Sequence, residues 1–461
     1  MTAAERAEPW PADVSSRVAG WFARCAAETS CRVQRVPLTE LRNWSFDAGT
    51  GNLRHDSGRF FSVEGLLVRT SYGAVPHWHQ PVIRQPEIGI LGMLVKVAGG
   101  VPYCLVQAKA EPGNSNTLQL SPTVQATRSN YMRVHRGAGT RYLEYFTRPG
   151  AGEVLVDVLQ SEQGSWFLGK RNRNMVVRVG ADVPAGGRHQ WIALAELRRL
   201  LRLDGLVNMD TRTVLACLPA GFFPGSAPAP AGTAVTGTTM AEALRRSAAG
   251  TGPARHDDVA VLSWFTTAKS RHELSATRVP LRGLPGWHQH ADGIERPDGR
   301  FFSVIGVDVR VDGREVLGWQ QPLLHPRGPG VAAFLLRRIA GVAHILVHAR
   351  FQAGLLDAME MGPTVQFTPQ SHPAGPPPFA DEVLTAPPER VLYDTVLAEE
   401  GGRFYRSDNR YLVVEASDDV PADEPEGFCW VTVAQLTALL RHGYYLNVEA
   451  RSLLACLHSL F

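Results

Sequence analysis

Arg59-Phe60-Phe61-Ser62-Val63 returns 241 residues later as Arg300-Phe301-Phe302-Ser303-Val304, and this repetition decides the organisation of the chain. Pro122-Thr123-Val124-Gln125 returns in the same way as Pro363-Thr364-Val365-Gln366. Between the two motifs the offset is constant and 24 of 67 positions are identical. An internal match of this length indicates a duplicated domain.

The repetition extends beyond this stretch with small changes of offset. Leu215–Leu218, for example, returns as Leu454–Leu457. We therefore predict a first half over residues 12–218 and a similar second half over residues 255–457, each large enough to form a globular unit. Residues 219–254 contain a run rich in Gly, Ser, Ala and Pro, which is typical of a flexible linker.

Composition limits the possible functions without deciding among them. The 461 residues are 44% hydrophobic and 20% charged, as in ordinary globular proteins. The net charge of +3 is too small to imply nucleic acid or an anionic membrane as a partner. The first residues lack the pattern of a signal peptide, and no apolar stretch approaches the ~20 residues that span a bilayer. We therefore expect a soluble cytoplasmic protein.

The sequence shows no motif for a metal or a nucleotide cofactor. The six cysteines form no Cys-x-x-Cys pair. The His-x-His runs at 77–79 and 288–290 are not accompanied by an acidic cluster with metal-ligand spacing. Gly137-Ala138-Gly139 lacks the third glycine of a dinucleotide-binding motif, and there is no P-loop. We predict no metal and no cofactor.

Each half has strands first and helices late, without regular βαβ alternation. This order favours an α+β fold over a doubly wound sheet. The predicted strands of the first half are 60–69, 90–97, 103–110, 154–160 and 174–179, and the predicted helices are 194–201, 211–218 and, in the linker, 240–248.

Three polar segments of the first half stand between apolar strands. They span residues 107–114, 125–131 and 160–174. On a strand, Gln107, Lys109 and Glu111 share one face. These segments are either solvated hairpin ends or the lining of a site for an anionic, hydroxyl-rich ligand. In such a site Arg and Lys would hold phosphates, and Asn, Gln and Ser would hold sugar or base edges.

Several of these motifs resemble the NDP-hexose 2,3-dehydratases, enzymes of deoxysugar pathways in antibiotic-producing actinobacteria. The resemblance rests on residues 60–63, 107–114, 119–131 and 161–167, and it covers nearly the whole chain. It implies a homodimer whose subunit consists of two tandem Nudix-like domains, each a mixed β-sheet flanked by helices. The metal-binding Nudix signature is missing from the sequence, so pyrophosphate hydrolysis is not expected.

The reaction that the resemblance implies needs a base, an acid and a hydrogen-bond donor. The substrate would be a thymidine-diphosphate (dTDP) 4-keto-6-deoxyhexose, whose C3 hydrogen is acidic because the C4 carbonyl takes the charge as an enolate. A base removes this proton, and the C2 hydroxyl leaves with help from an acid. The resulting 3,4-diketo-2,6-dideoxy sugar would pass to a downstream ketoreductase. The ketone is already present, so no redox cofactor is implied.

The candidate residues come mainly from the first half, since Lys109 and Glu111 become Arg350 and Gln352 in the second. We predict that protons are handled by Lys109, Glu111 and Tyr131. We predict that Arg128, Lys170 and Arg173 lie near phosphates, and that Trp44 and Trp287 stack on thymine. The other candidate substrate-binding residues are Thr127, Ser129, Asn130, Ser165, Asn172, Gln366, Arg403, Tyr405, Asn409 and Arg410.

Alternatives stay open for both the arrangement and the function. The second site could be degenerate or accessory, or one pocket could be built from both halves or from both subunits. A Nudix-type nucleotide-sugar hydrolase would require Mg²⁺. A scaffold that binds nucleotide sugars would not turn them over.

Overall fold

The computed structural model describes residues 10, 14–127, 139–218, 239–312, 317–371, 375–421 and 423–461. These residues form a mixed α+β protein with four sheets and two similar halves. Within these ranges, no helix combines the length and the apolar character needed to cross a membrane.

The elements of the first half begin with a helix and end with two. Its helices are α1 (Ser16–Ala27), α2 (Glu144–Thr147), α3 (Leu194–Leu200) and α4 (Met209–Ala216). Its strands are β1 (Cys31–Val36), β2 (Trp44–Phe46), β3 (Leu53–His55), β4 (Ser62–Thr70), β5 (His77–Arg84), β6 (Gly89–Ala98), β7 (Val101–Ala110), β8 (Leu118–Ser121), β9 (Val124–Ala126), β10 (Glu153–Ser161), β11 (Arg171–Arg178) and β12 (His189–Ala193).

The second half repeats this order. Its helices, counted from the end of the linker, are α5 (Met240–Ala249), α6 (Asp258–Ser270), α7 (Ala380–Leu384), α8 (Val433–Leu439) and α9 (Val448–Leu457). Its strands are β13 (Leu274–Val279), β14 (His288–His290), β15 (Gly293–Glu295), β16 (Phe302–Val311), β17 (Gly318–Pro326), β18 (Val331–Ile339), β19 (Val342–Phe351), β20 (Met359–Gly362), β21 (Val365–Phe367), β22 (Val391–Ala398), β23 (Asp408–Glu415) and β24 (Phe428–Thr432). Short 3₁₀ turns lie at Leu38–Glu40, Pro369–Ser371 and Pro388–Arg390.

The α+β fold class and all the predicted strands and helices are confirmed, with shifts of a few residues at their ends. The linker helix is one example. It is α5, which begins where the Thr239 hydroxyl accepts a hydrogen bond from the backbone N–H of Glu242. It ends at Gly250, whose φ of 66° is the left-handed conformation that glycine adopts without strain. Its apolar face is buried against the second half.

The core of each half is a seven-stranded mixed sheet. In the first half the order is β10-β11-β6-β7-β12, with β8 paired to β7 and β9 paired to β6. The pair β6–β11 is parallel and the others are antiparallel. The second half has the equivalent order β22-β23-β18-β19-β20, with β21 on β18 and β24 on β19. The end of β9 and the start of β11 therefore both lie beside the start of β6, and β21 and β23 take the equivalent places beside β18.

Each half also lends its first strand to the other half. Strand β1 pairs antiparallel with β16, so that Cys31 lies opposite Val311. Strand β13 pairs in the same way with β4, so that Leu274 lies opposite Thr70. The expectation of two halves in tandem did not include this exchange. Both strands are short and half-exposed, and their sequences do not specify which sheet they join.

A glycine identical in both halves permits each exchanged strand to approach. A Cβ on Gly65 would lie 2.7 Å from the carbonyl oxygen of Pro280, and one on Gly306 would lie 2.5 Å from that of Val36. Both distances are below any normal contact, so only glycine fits at these positions.

Helices α4 and α9 pack against each other at the centre of the molecule, and all their residues are buried. Each carries an arginine with no exposed surface, Arg212 or Arg451. Arg212 donates to the carbonyl oxygen of Ala398 (2.8 Å), and Arg451 donates to that of Ser161 (2.5 Å). Each arginine thus binds the backbone of the opposite half, directly before a polar segment.

Candidate active site

Two clusters of polar side chains lie at equivalent places in the two halves. The first polar cluster consists of Lys109, Glu111, Gln125, Glu162, Lys170, Asn172, Asp210, Glu400 and Arg403. The second polar cluster consists of Gln163, Arg350, Gln352, Gln366, Glu399, Asn409 and Glu449. Each contains residues of both halves.

The end of β7 provides an ammonium and a carboxylate to the first polar cluster. Lys109 Nζ lies 3.7 Å from Glu111 Oε1, and both side chains are largely buried. Gln125, at β9, donates from Nε2 to Glu111 Oε1 over 2.8 Å. Asn208, which caps α4, donates in turn to Gln125 Oε1 over 3.2 Å. Glu111 directly follows β7, and its side chain lies beside that of Lys109, as the predicted strand alternation requires.

The turn between β10 and β11 supplies a second carboxyl group. Asn172 Nδ2 donates to Glu162 Oε1 over 2.7 Å, and Asn172 Oδ1 accepts from the backbone N–H of Gly89 at 3.0 Å. Lys170 Nζ donates to the carbonyl oxygen of Glu87 over 2.6 Å. Side chains alternate along β11, so Asn172 and Asn174 are buried on one face while Arg171 and Arg173 are partly exposed on the other.

A loop of the second half completes the first polar cluster. The backbone N–H of Gly113 donates to the carbonyl oxygen of Gly401 over 2.7 Å, and that of Arg406 donates to the carbonyl oxygen of Gly113 over 2.7 Å. A Cβ on Gly113 would lie 1.7 Å from the carbonyl oxygen of Phe404, so this approach requires glycine. The contact brings Glu400 and Arg403 to the residues of β7. A cluster built from both halves is therefore what the structure shows.

Residues of the first half hold the Arg403 guanidinium in place. Its Nε donates to Gln85 Oε1 over 3.1 Å, and its charged carbon lies 4.3 Å from the centre of the Phe61 ring. This distance is within the range of a cation–π contact. The equivalent residue of the first half is Trp166, which packs on Phe404 instead.

Burial and mutual repulsion favour the protonated form of several carboxyl groups in the first polar cluster. Burial, and next the Glu400 carboxylate, raises the pKa of Glu162 to about 7. Burial raises the pKa of Asp210 well above its usual range, and Glu162 and Glu400 add to the effect. The pKa of Glu400 is raised by desolvation, against the opposing effect of Arg403. The pKa of Lys170 is lowered by burial. Such shifts are typical of sites that transfer protons.

Two side chains of this region contain buried polar atoms without a hydrogen-bond partner among the described residues. They are both amide atoms of Asn114 and Oε2 of Glu162. Buried polar groups are normally satisfied by protein, water or ligand. These atoms therefore suit contacts to a polar molecule such as a sugar.

The second polar cluster has the same frame with fewer proton-transfer groups. Gln163 stands in place of Glu400 and donates from Nε2 to Glu399 Oε2 over 2.8 Å. Gln352 stands in place of Glu111 and accepts from the backbone N–H of Gly164 at 3.2 Å. Burial raises the pKa of Glu449 to about 7, with a contribution from Glu399. Amides replace the carboxyl groups at two positions, so the clusters differ in chemistry more than in shape.

Comparison with known proteins identifies the family. The family described as NDP-hexose 2,3-dehydratase matches residues 15–218 and again residues 258–457. The chain belongs to the NDP-hexose 2,3-dehydratase family. The protein is therefore a member of an enzyme family, and the two matched regions correspond to the two halves of its internal repeat.

Three relatives of this dehydratase family each carry the name dTDP-4-dehydro-6-deoxy-alpha-D-glucopyranose 2,3-dehydratase. The Saccharopolyspora spinosa protein is 50% identical over 96% of this chain and 90% of its own length. The Streptomyces violaceoruber protein is 51% identical over 95% of this chain and 96% of its own length. The Amycolatopsis orientalis protein is 46% identical over 96% of this chain and 90% of its own length.

The structure brings together some of the residues predicted for a dehydratase site and separates others. Lys109, Glu111, Lys170, Asn172 and Arg403 lie in the first polar cluster, and Gln366 and Asn409 lie in the second. Arg173 and Arg410 lie on the outer faces of their strands, where they form two-pronged ion pairs with Asp157 (2.6 and 2.5 Å) and Asp394 (2.8 and 2.6 Å). Arg173 thus lies on the face of β11 opposite to that of Asn172, and its predicted contact with a phosphate stays a prediction.

Trp44 and Trp287 lie in an apolar core between the two halves. The indole N–H of Trp44 donates to the carbonyl oxygen of Gln320 (2.8 Å), and that of Trp287 donates to that of His79 (2.7 Å). Both side chains are buried. This packing favours a structural role, and stacking on thymine stays a prediction.

The remaining predicted residues lie at the edges of the clusters or outside the described ranges. Thr127 follows β9 and is half-buried. The carbonyl oxygen of Ser165 accepts from Gln80 Nε2 at 2.7 Å. The Tyr405 ring packs on His325 at 5.3 Å. The predictions for Arg128, Ser129, Asn130 and Tyr131 concern residues outside the described part of the chain.

Sequence reasoning did not assign roles to Glu162, Asp210 and Glu400. Glu162 lies in a segment that the sequence marks as polar, and the Glu400/Gln163 difference between the halves was visible. Asp210 lies on helix α4, whose sequence is typical of an apolar core, and nothing in the sequence indicates that its carboxyl group belongs to a site. The contact of Glu400 with the first half depends on the crossing of the halves, which only the structure shows.

One other group in the described ranges has the geometry of metal ligands, namely His256, Glu424 and Cys429. Glu424 Oε1 already accepts from His256 (2.7 Å) and from Arg255 Nε (3.1 Å). A guanidinium beside the carboxylate supplies the positive charge that a metal ion would bring. This group lies apart from both polar clusters.

Proposed function

We propose that this protein is a dTDP-4-dehydro-6-deoxy-α-D-glucopyranose 2,3-dehydratase that forms a dTDP-3,4-diketo-2,6-dideoxyhexose. The proposal is supported by the names of the relatives, which match over nearly the whole chain. The observation that carries it in the structure is the first polar cluster, in which an ammonium, a carboxylate and raised-pKa carboxyl groups converge.

The geometry favours Glu111 as the base that removes the C3 proton. Its carboxylate accepts one hydrogen bond from Gln125 and faces the Lys109 ammonium at 3.7 Å. Lys109 is then placed to donate to the C4 oxygen as negative charge develops there. Donors aimed at a developing oxyanion are among the largest contributions to catalysis.

The proposed function includes finer points of the fold and the assembly. We propose that each half is Nudix-like and that the enzyme is a homodimer whose unstable product is taken up by a ketoreductase. A cytoplasmic location would keep the six free cysteines reduced. Substrate binding by Thr127, Arg128, Ser129 and Asn130 and proton handling by Tyr131 stay part of this proposal. The second polar cluster would be an accessory or degenerate site.

The reaction is tested by anaerobic incubation with dTDP-4-keto-6-deoxyglucose in deuterated buffer containing EDTA, followed by mass spectrometry. We expect loss of one water with the diphosphate intact. Release of a sugar phosphate, dependent on added Mg²⁺, would instead indicate a hydrolase. Recovery of unchanged, unlabelled substrate would indicate a binding scaffold.

The role of Glu111 is tested by Glu111→Gln, which keeps the shape of the side chain and removes the base. Loss of one acid–base contact typically lowers the rate by about 10²–10⁴-fold. Glu399→Gln makes the same change in the second polar cluster and should keep most of the activity. Full turnover by Glu111→Gln would exclude Glu111 as the base.

A further inference from the structure

We propose that Glu400, supplied by the second half, is the general acid that protonates the departing C2 hydroxyl in the first polar cluster. This inference rests on the proposed function and adds a named residue to its mechanism. It makes one catalytic centre depend on both halves of the chain, with Glu111 as base and Glu400 as acid.

Gly402 marks the space between the two carboxyl groups. A Cβ at this position would lie 3.0 Å from Glu400 Oε1 and 3.7 Å from Glu111 Oε1. Both oxygens therefore face the same small region, which has no side chain of its own. The equivalent position in the first half is Ser165. Glu400 is largely buried but keeps part of its surface exposed to solvent.

The stereochemistry of the substrate requires the base and the acid to lie on the same face of the sugar ring. In a D-gluco ring the C3 hydrogen and the C2 hydroxyl project from the same face. The base and the acid for this elimination are therefore needed side by side, one carbon–carbon bond apart. Glu111 and Glu400, which converge on Gly402, meet this requirement.

In the second polar cluster, the residue equivalent to Glu400 is a hydrogen-bond donor. There Gln163, the equivalent of Glu400, donates its amide N–H to Glu399, the equivalent of Glu162. A carboxyl group that replaces this amide can donate to the facing carboxylate only if it carries a proton. The repulsion between Glu400 and Glu162 and the raised pKa of both groups point in the same direction. Glu400 thus enters the reaction as an acid.

The proton balance closes with these two residues and water. Glu111 takes the C3 proton, and the electron pair of the C–H bond becomes the enolate of C3, C4 and O4. The enolate expels the C2 oxygen, the C2–O bond breaks, and the Glu400 proton completes a water molecule. The resulting enol loses its O3 proton and gains one at C2, which gives the diketone. Each carboxyl group then returns to its first state by exchange with solvent.

The test is Glu400→Gln, which copies the residue that the second polar cluster has at this position. In deuterated buffer we expect deuterium to enter C3, because Glu111 is intact, while water loss falls by about 10²–10⁴-fold. Glu111→Gln should lose both exchange and water loss. Glu389→Gln makes the same substitution at an exposed position and should dehydrate at the wild-type rate. Binding of dTDP, measured by calorimetry, should be unchanged in all three variants.

Two results would overturn the inference. One is wild-type dehydration by Glu400→Gln, and the other is loss of C3 exchange together with dehydration while dTDP binding persists. If Glu400→Gln does not fold, Glu400→Asp keeps the acid on a shorter arm. We then expect a partial rate, roughly tenfold lower, with intact C3 exchange. A wild-type enzyme that releases no water would refute the proposed function itself, whatever the variants do.

Discussion

Replacing Arg451 by Met should destabilise the protein strongly, because this residue supports both polar clusters from the centre of the molecule. Its guanidinium has no exposed surface and donates to Thr213 Oγ1 (2.7 Å), the carbonyl oxygen of Leu446 (2.6 Å) and that of Ser161 (2.5 Å). Methionine fills similar space but donates no hydrogen bond.

The magnitude follows from the groups left behind. A buried acceptor that loses its donor costs ~1–3 kcal/mol, and removing one partner of a buried charge pair costs ~3–5 kcal/mol. The Arg451 charge also lowers the pKa of Glu162, Glu360 and Glu449. We therefore expect a loss of about 3–5 kcal/mol in the free energy of unfolding at pH 8. The loss should be smaller at pH 5, where these carboxyl groups are protonated.

Urea unfolding followed by far-UV circular dichroism at the two pH values measures this effect. Arg245→Met, on the exposed side of α5, is the matched control and should change stability by no more than ~0.5 kcal/mol. A loss below ~1 kcal/mol at both pH values would show that the central arginines do not hold the halves together.

Three further predictions concern the frame of the site. Gly113→Ala should give little folded protein, because its Cβ would lie 1.7 Å from the carbonyl oxygen of Phe404. The control is Gly20→Ala in helix α1, where the nearest atom lies 3.7 Å from the added Cβ, so this change should be neutral or stabilising by up to ~1 kcal/mol. Thermal melts compare the two variants. Burial raises the pKa of Glu360 to about 7, so the wild type loses stability as the pH rises from about 4.5 through 7. The free energy of unfolding of Glu360→Gln should therefore rise by about 2–3 kcal/mol relative to that of the wild type between pH 5 and 7.5, as measured by urea titration. A difference between the two proteins that does not change with pH would contradict this. Residues 1–218 and residues 239–461, expressed separately, should stay unfolded or aggregate, because each half lacks the strand that the other half lends to it. Co-expression of the two fragments should restore a native circular dichroism spectrum. A single fragment that is monomeric and melts cooperatively would disprove the need for the exchanged strands.

Much of this architecture could be predicted from the sequence, because the same pattern of apolar and turn residues occurs in both halves. Apolar runs bounded by turns located the strands of the first half and its late helices. Lys109 and Glu111 were assigned to one face of a strand by alternation alone, and they lie 3.7 Å apart.

What the sequence did not reveal depends on contacts between distant residues. The six-residue strand β1 is largely exposed, and its sequence does not specify which sheet it joins, so its exchange leaves no local pattern. Glu400 is 289 positions from Glu111, and only the crossing of two glycine-containing loops brings them together. The sequence also did not indicate that Trp44 packs in the apolar core between the halves, because an indole ring is suited both to a core and to stacking on a base.

The exchanged strands also impose an order on biosynthesis. Strand β4 ends at Thr70, but the strand that covers its edge, β13, ends at Val279. At about 5–20 residues per second, the ribosome needs roughly 10–40 s to make the intervening chain. During that time the nascent chain presents an unpaired β edge, which invites association with neighbouring chains on the same messenger RNA. The sheet that contains β4 is thus completed only after the first strand of the second half has been made.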